Sequence, residues 1–112
     1  MIKTYTWDEI DCEVREYEPS ELDALYKATE EGGWEYQEEP LPNGVQVLKT
    51  DRHFALETTA ATRLQALEKF MEFDTFMEFA SERDLKMVAI ILEGRAERIR
   101  KELNNREERK AQ

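Results

Sequence analysis

The sequence predicts an α+β fold: a small antiparallel β-sheet, made of a hairpin at about 34–50 with a strand at about 11–17, packed with a helix at 20–31 and two or three C-terminal helices. Three observations lead there. Apolar and polar residues alternate on both sides of Asn43-Gly44, whose left-handed conformations suit a tight reversal. Apolar residues recur every three or four positions over 22–29, 64–71 and 85–103, as on one face of a helix. With 112 residues, no Gly/Ser linker and no repeat of 20 to 50 residues, the chain is expected to form one compact domain around one core.

The first segment carries two competing patterns. Thr6-Trp7-Asp8-Glu9 has the spacing of a capped helix start, with a threonine followed three residues later by a glutamate. Beyond it Ile10, Cys12 and Val14 alternate with Asp11, Glu13 and Arg15, as in a strand. The expectation is a short helical turn followed by a strand at 11–17. Pro19 and Ser20 then open a helix, with Ser20 as its cap and Leu22, Leu25 and Tyr26 on one face. Gly32-Gly33 ends it. In the hairpin, Trp34 and Tyr36 alternate with Glu35 and Gln37, and Val45 and Val47 do the same beyond the turn. Pro40 and Pro42 lack amide donors and belong near the turn or on an edge.

After Phe54 the pattern reads as helical, with Thr58 or Thr59 capping a run that holds Ala60, Ala61, Leu64, Leu67, Phe70 and Met71. The echo Phe70-Met71-Glu72-Phe73 and Phe76-Met77-Glu78-Phe79 points apolar side chains nearly all round a single helix. A break near Asp74-Thr75 resolves this, with Asp74 capping a new short helix. The last helix, capped by Ser81 or Asp84, carries a long stripe of Leu85, Val88, Leu92, Ala96, Ile99 and Leu103. Gly94 interrupts it, as though a neighbouring helix came close. The tail at 104–112 has no large apolar residue and is expected to fray.

Charge is divided unevenly. The chain holds 26 acidic and 16 basic residues, a net charge of −10. Residues 1–57 hold fifteen acids and five bases, so the whole excess lies in the first half. Residues 8–39 alone carry thirteen acids against Arg15 and Lys27. Such a field repels nucleic acid, so no direct nucleic-acid binding is expected, and it favours a protein partner with a basic surface. Residues 95–110 carry seven bases against four acids.

Other functions are disfavoured. The longest apolar run, Met87–Leu92, is far short of the roughly 20 residues of a membrane span, and residues 1–25 are acidic rather than leader-like, so no membrane is expected. A lone Cys12 allows no internal disulfide and suits a reducing, cytoplasmic setting. Cys12 and His53 lie about forty positions apart with no nucleophile motif around either. Gly32-Gly33 ends a helix instead of opening one, so it forms no phosphate loop. The acids lack calcium-loop spacing and soft zinc ligands are scarce, so neither cofactor nor metal is expected.

The sequence therefore points to a non-enzymatic acidic binding module that modulates or inhibits a basic partner, as a mimic of nucleic-acid charge does. The expected acidic face is Glu16, Glu18, Glu30, Glu31, Glu35, Glu38 and Glu39, with Trp34 and Tyr36 as aromatic anchors. The alternative is a homodimer or other self-assembly through Leu85, Val88, Leu92, Ile99 and Leu103. A carboxylate-dependent enzyme would require a deep pocket holding two acids with opposed pKa shifts.

Overall fold

A computed structural model describes residues 1–37 and 39–111. It has the expected α+β architecture: a five-stranded antiparallel sheet, four α-helices and one 3₁₀ turn. The strands are β1 (Lys3–Asp8), β2 (Arg15–Tyr17), β3 (Glu35–Tyr36), β4 (Gln46–Lys49) and β5 (Phe54–Ala60). Their order across the sheet is β2-β1-β5-β4-β3. The helices are α1 (Leu22–Glu31), α2 (Arg63–Phe70), α3 (Asp74–Phe79) and α4 (Glu82–Ala111).

Residues 3–8 form a strand, so the helical turn expected at Thr6 does not occur. All six residues of β1 pair with β5, with Tyr5 opposite Thr58 and Trp7 opposite Leu56. That ladder buries Tyr5 and Trp7 on one face, which outweighs a local capping signal. The signal is used one step later. Asp8 Oδ1 accepts the N–H groups of Ile10 and Asp11, both at 2.8 Å, and turns the chain away from the strand. The strand expected at 11–17 is shortened to 15–17, because Cys12 adopts φ +62° and Val14 dips into the core.

Ser20 does not cap α1. It lies within the 3₁₀ turn Pro19–Glu21, where Glu18 and Glu21 form a reciprocal capping box. At the other end Trp34 N–H donates to Thr29 O and Gly33 N–H to Glu30 O, with Gly33 at φ +74°. This is a Schellman ending, and the glycine permits its left-handed residue. The hairpin forms, with Glu35 opposite Lys49 and Tyr36 opposite Leu48, but its reversal runs over Leu41–Gly44, where Gly44 N–H donates to Leu41 O at 2.7 Å and Gly44, not Asn43, takes a positive φ.

The largest departure is β5. Residues 54–60, expected to lead into a helix capped by Thr58 or Thr59, form the central strand, paired with β1 on one side and β4 on the other. The helix begins later, at Arg63, where the Thr62 side chain accepts from Gln65 N–H at 3.2 Å. The expected break is present, since α2 ends at Phe70 and α3 begins at Asp74; its N-cap position is Phe73, not Asp74.

Cross-strand partners share a face of a sheet. The inner face carries Tyr5, Trp7, Val47, Phe54, Leu56 and Ala60, which pack with Phe70, Phe76, Val88 and Ile91 of the C-terminal helices. Trp7 meets Phe76 edge to face, with ring centroids 5.3 Å apart. The outer face carries Thr4, Thr6, Arg15, Tyr17, Leu48, Ala55 and Glu57, and here Leu48 and Ala55 are buried outside the main core cluster. The segment from β2 through α1 to β3 joins the two opposite edges of the sheet, so α1 crosses the outer face.

Ser81 opens α4, its Oγ accepting from Asp84 N–H at 3.3 Å. Asp84, fully buried, accepts from Val14 N–H at 2.8 Å, from the Arg63 guanidinium at 2.8 Å and from Ser81 Oγ at 3.2 Å. One carboxylate thus ties the β1–β2 loop and α2 to the start of α4. The helix continues through Asn104-Asn105 to Ala111, and nearly every residue beyond Ile91 is exposed. Those residues extend about 30 Å at 1.5 Å each, and the molecule measures 64 × 29 × 26 Å. Gly94 marks no close approach, since a Cβ there would meet nothing within 4 Å.

Candidate functional site

The outer layer holds the strongest candidate. A cleft of about 270 Å³ lies between α1 and the outer face of the sheet. Thr6 and Asp8 of β1, Arg15 and Tyr17 of β2, Leu48 of β4 and Glu57 of β5 line it from the sheet side, and Leu25, Thr29 and Trp34 line it from above. The cleft exists because α1 is held loosely. It buries no residue, and Leu22, Leu25 and Thr29 are only half-buried.

Glu57 is the unusual group here. It is 8% exposed, at the centre of the sheet, and the Tyr36 hydroxyl lies 3.0 and 3.1 Å from its two carboxylate oxygens as a hydrogen-bond donor. No salt bridge among the described residues reaches it. Burial raises the pKa of its carboxyl above the ordinary glutamate range, while the Tyr36 hydrogen bond pulls it back in part. The Tyr36 phenol is pushed well above its usual value, first by burial and then by the nearby Glu57 charge. The cross-strand register sets Arg15, Thr6, Glu57 and Gln46 in one row across the sheet. The Arg15 guanidinium is turned to Asp11.

The expected acidic face is not one patch: by the register Glu16, opposite Tyr5, and Glu35, in line with Lys49 and Phe54, lie on the helix side of the sheet, away from the cleft. Glu16 and Glu18 flank β2 at one edge, and Lys3 holds them at 2.6 and 3.3 Å. The hydrogen bond from Lys3 holds the Glu16 carboxyl below its usual range. Glu35 lies on β3 at the opposite edge, roughly 19 Å away by four inter-strand spacings. Glu39 is exposed just beyond that edge, and Glu30 and Glu31 are exposed at the end of α1 that points to it. Glu38 lies outside the described residues. Glu30 and Glu31 are thus exposed at the end of α1, Glu35 lies on β3 opposite Lys49 and Glu39 just beyond it, while Lys3 offsets Glu16 and Glu18.

The aromatic pair does not project as free anchors. Trp34 is half-buried and folds back over the cleft, and a Cβ at Gly32 would come within 2.9 Å of its ring. Tyr36 is 41% exposed, with its hydroxyl committed to Glu57. Glu57 was not legible as a site, because it falls in the stretch that reads as the approach to a helix.

The stripe on the last helix divides in two. Val88 is buried in this chain's own core and Leu85 is partly buried against it. Leu92, Ile99 and Leu103 are 44%, 60% and 54% exposed on the projecting part of α4.

The cleft holds two carboxylates: Glu57, and Asp8, whose Oδ1 accepts two backbone N–H groups of the turn that follows β1. The Cys12 thiol is raised, first by burial and then by Asp8, Asp11 and Glu9, the opposite of an activated nucleophile. Among the described residues no three His, Cys, Asp or Glu side chains gather to hold a metal ion, and no helix is long and apolar enough to cross a membrane. Comparison with protein-family models, curated proteins and solved structures gave no match.

Proposed function

We propose that this chain is a non-enzymatic protein-binding module of a reducing, cytoplasmic compartment, whose negatively charged N-terminal half docks on a basic surface of a partner protein and modulates or inhibits it. The observation that carries the reading is the placement of Glu30, Glu31, Glu35 and Glu39. All four are exposed, Glu30 and Glu31 at the end of α1 and Glu35 and Glu39 on and just beyond β3, and the described salt bridges engage none of them. Like charges gathered in one half of a small chain steer an oppositely charged partner and orient it on arrival. The same field opposes nucleic acid as a direct ligand.

The test is affinity capture from nuclease-treated lysate, eluted along a salt gradient, with the proteins in each fraction identified. A basic protein that leaves at moderate salt is the expected result. Equal capture by the variant carrying lysine at positions 30, 31, 35 and 39 would contradict the reading.

A second reading, self-association through α4, draws support from the exposed Leu92, Ile99 and Leu103. Burying large apolar side chains is worth roughly 1.5 to 3 kcal/mol each, enough for a few to hold two helices together. This reading predicts a dimer insensitive to salt and a folded monomer on Ile99→Glu. A wild-type solution mass equal to the chain's 13.3 kDa contradicts it.

A further inference from the structure

The outer-layer cleft has a property that the acidic surface alone does not require. Its floor carries Glu57, a carboxylate that is more than nine-tenths buried yet has no salt-bridge partner among the described residues. Tyr36 supplies one neutral hydrogen bond to Glu57. A carboxylate has about four acceptor sites, so most of its capacity remains unused. The nearest cation in the same row, Arg15, stands two strands away and is engaged by Asp11. A buried charge without a counter-charge is costly, and the cleft that exposes it leads to solvent beneath a loosely held helix.

The lining fits one class of ligand. Trp34 and Tyr17 offer aromatic surface, Leu25 offers an apolar wall for an alkyl stem, and Thr6 and Asp8 add oxygen acceptors. Aromatic faces and carboxylates together favour cations. The volume is below that of sites for drug-sized ligands, and an anion would face both carboxylates, while the one cation of the lining, Arg15, is paired with Asp11.

We infer that the cleft under α1 is a pocket for a lysine or arginine side chain, whose ammonium or guanidinium pairs with Glu57 while its alkyl stem lies between Trp34 and Leu25. The inference rests on the proposed basic partner and names the contact that gives it specificity. The surface acids attract the partner, and the cleft recognises one of its side chains.

The experiment is an NMR titration of the intact chain with N-acetyl-lysine methylamide and N-acetyl-arginine methylamide, with n-butylammonium as the bare amine and n-butanol as the neutral control. Resonances of Thr6, Trp34 and Tyr36 should shift saturably with the two amino-acid probes, at affinities on the order of millimolar. Glu57→Gln, which preserves size and hydrogen bonding to Tyr36, should weaken them about tenfold or more, because a charge-assisted pair becomes a neutral one. Tyr36→Phe, which keeps the carboxylate, should retain binding.

Absence of saturable shifts, equal binding by Glu57→Gln, or equal binding of n-butanol would overturn the cation pocket. Binding of n-butylammonium but of neither amino-acid probe would overturn the assignment to a protein side chain. The variant with lysine at 30, 31, 35 and 39 leaves every cleft residue in place. Probe binding that persists in it while partner capture is also unchanged removes the acidic-surface reading alone, whereas loss of probe binding with capture intact in wild type removes the pocket alone.

Discussion

Glu57 places a charge where the fold would be better served by a neutral side chain. Its carboxyl titrates above the ordinary value of 4.5 because burial disfavours the charged form. The folded chain therefore keeps a proton that the unfolded chain has already released. Stability falls as pH rises from the ordinary glutamate range through the raised value, and the full loss is present above it. Glu57→Gln should remove this dependence and raise the denaturation midpoint at pH 7, measured by urea titration at several pH values; a lowered midpoint at pH 7 would contradict the account. Asp84 is a buried carboxylate that does have partners, accepting from Val14 N–H, Arg63 and Ser81. Asp84→Ala orphans a buried amide and a guanidinium and should cost about 3 to 5 kcal/mol in the same assay.

At the scale of elements, the sequence was legible where one face of an element is buried and misleading where both are. The hairpin around Asn43-Gly44, the Gly32-Gly33 stop and the break before α3 rest on turn chemistry and amphipathic spacing, and all three are present. β5 was missed because it is central. Phe54 and Leu56 face the helices while Ala55 and Glu57 face α1, so Phe-Ala-Leu-Glu-Thr-Thr-Ala shows no clean alternation and contains good helix formers. The cleft was illegible for the same reason, since its floor is that strand. The acids of 8–39 were legible as charge but not as a surface, because only the topology shows Glu16 and Glu18 at the edge opposite Glu35. Gly94 lies in an exposed helical stretch with open space around it. Gly94→Ala should stabilise the chain by about 0.5 to 1 kcal/mol, read as a higher midpoint in urea; a loss of stability would show that something packs there.

The whole molecule is electrically polar. An acidic body is joined to a projecting helix whose stretch 95–110 carries seven bases and four acids. The inner face holds the body together through Trp7, Phe70, Phe76 and Val88. The outer layer contributes little to that core, which leaves α1, its acids and the cleft available for contact. Attraction across such a surface weakens as salt screens it, with a Debye length near 8 Å at physiological ionic strength. Direct contacts within a closed cleft are screened less. The two contributions therefore separate in a salt series. The most direct measurement is the affinity of the captured basic partner for wild type and for the variant with Glu30, Glu31, Glu35 and Glu39 changed to lysine, across several salt concentrations. The account predicts at least about a tenfold loss at low salt, roughly 1.4 kcal/mol, and a shallower salt dependence. Equal affinities with equal salt slopes would contradict it.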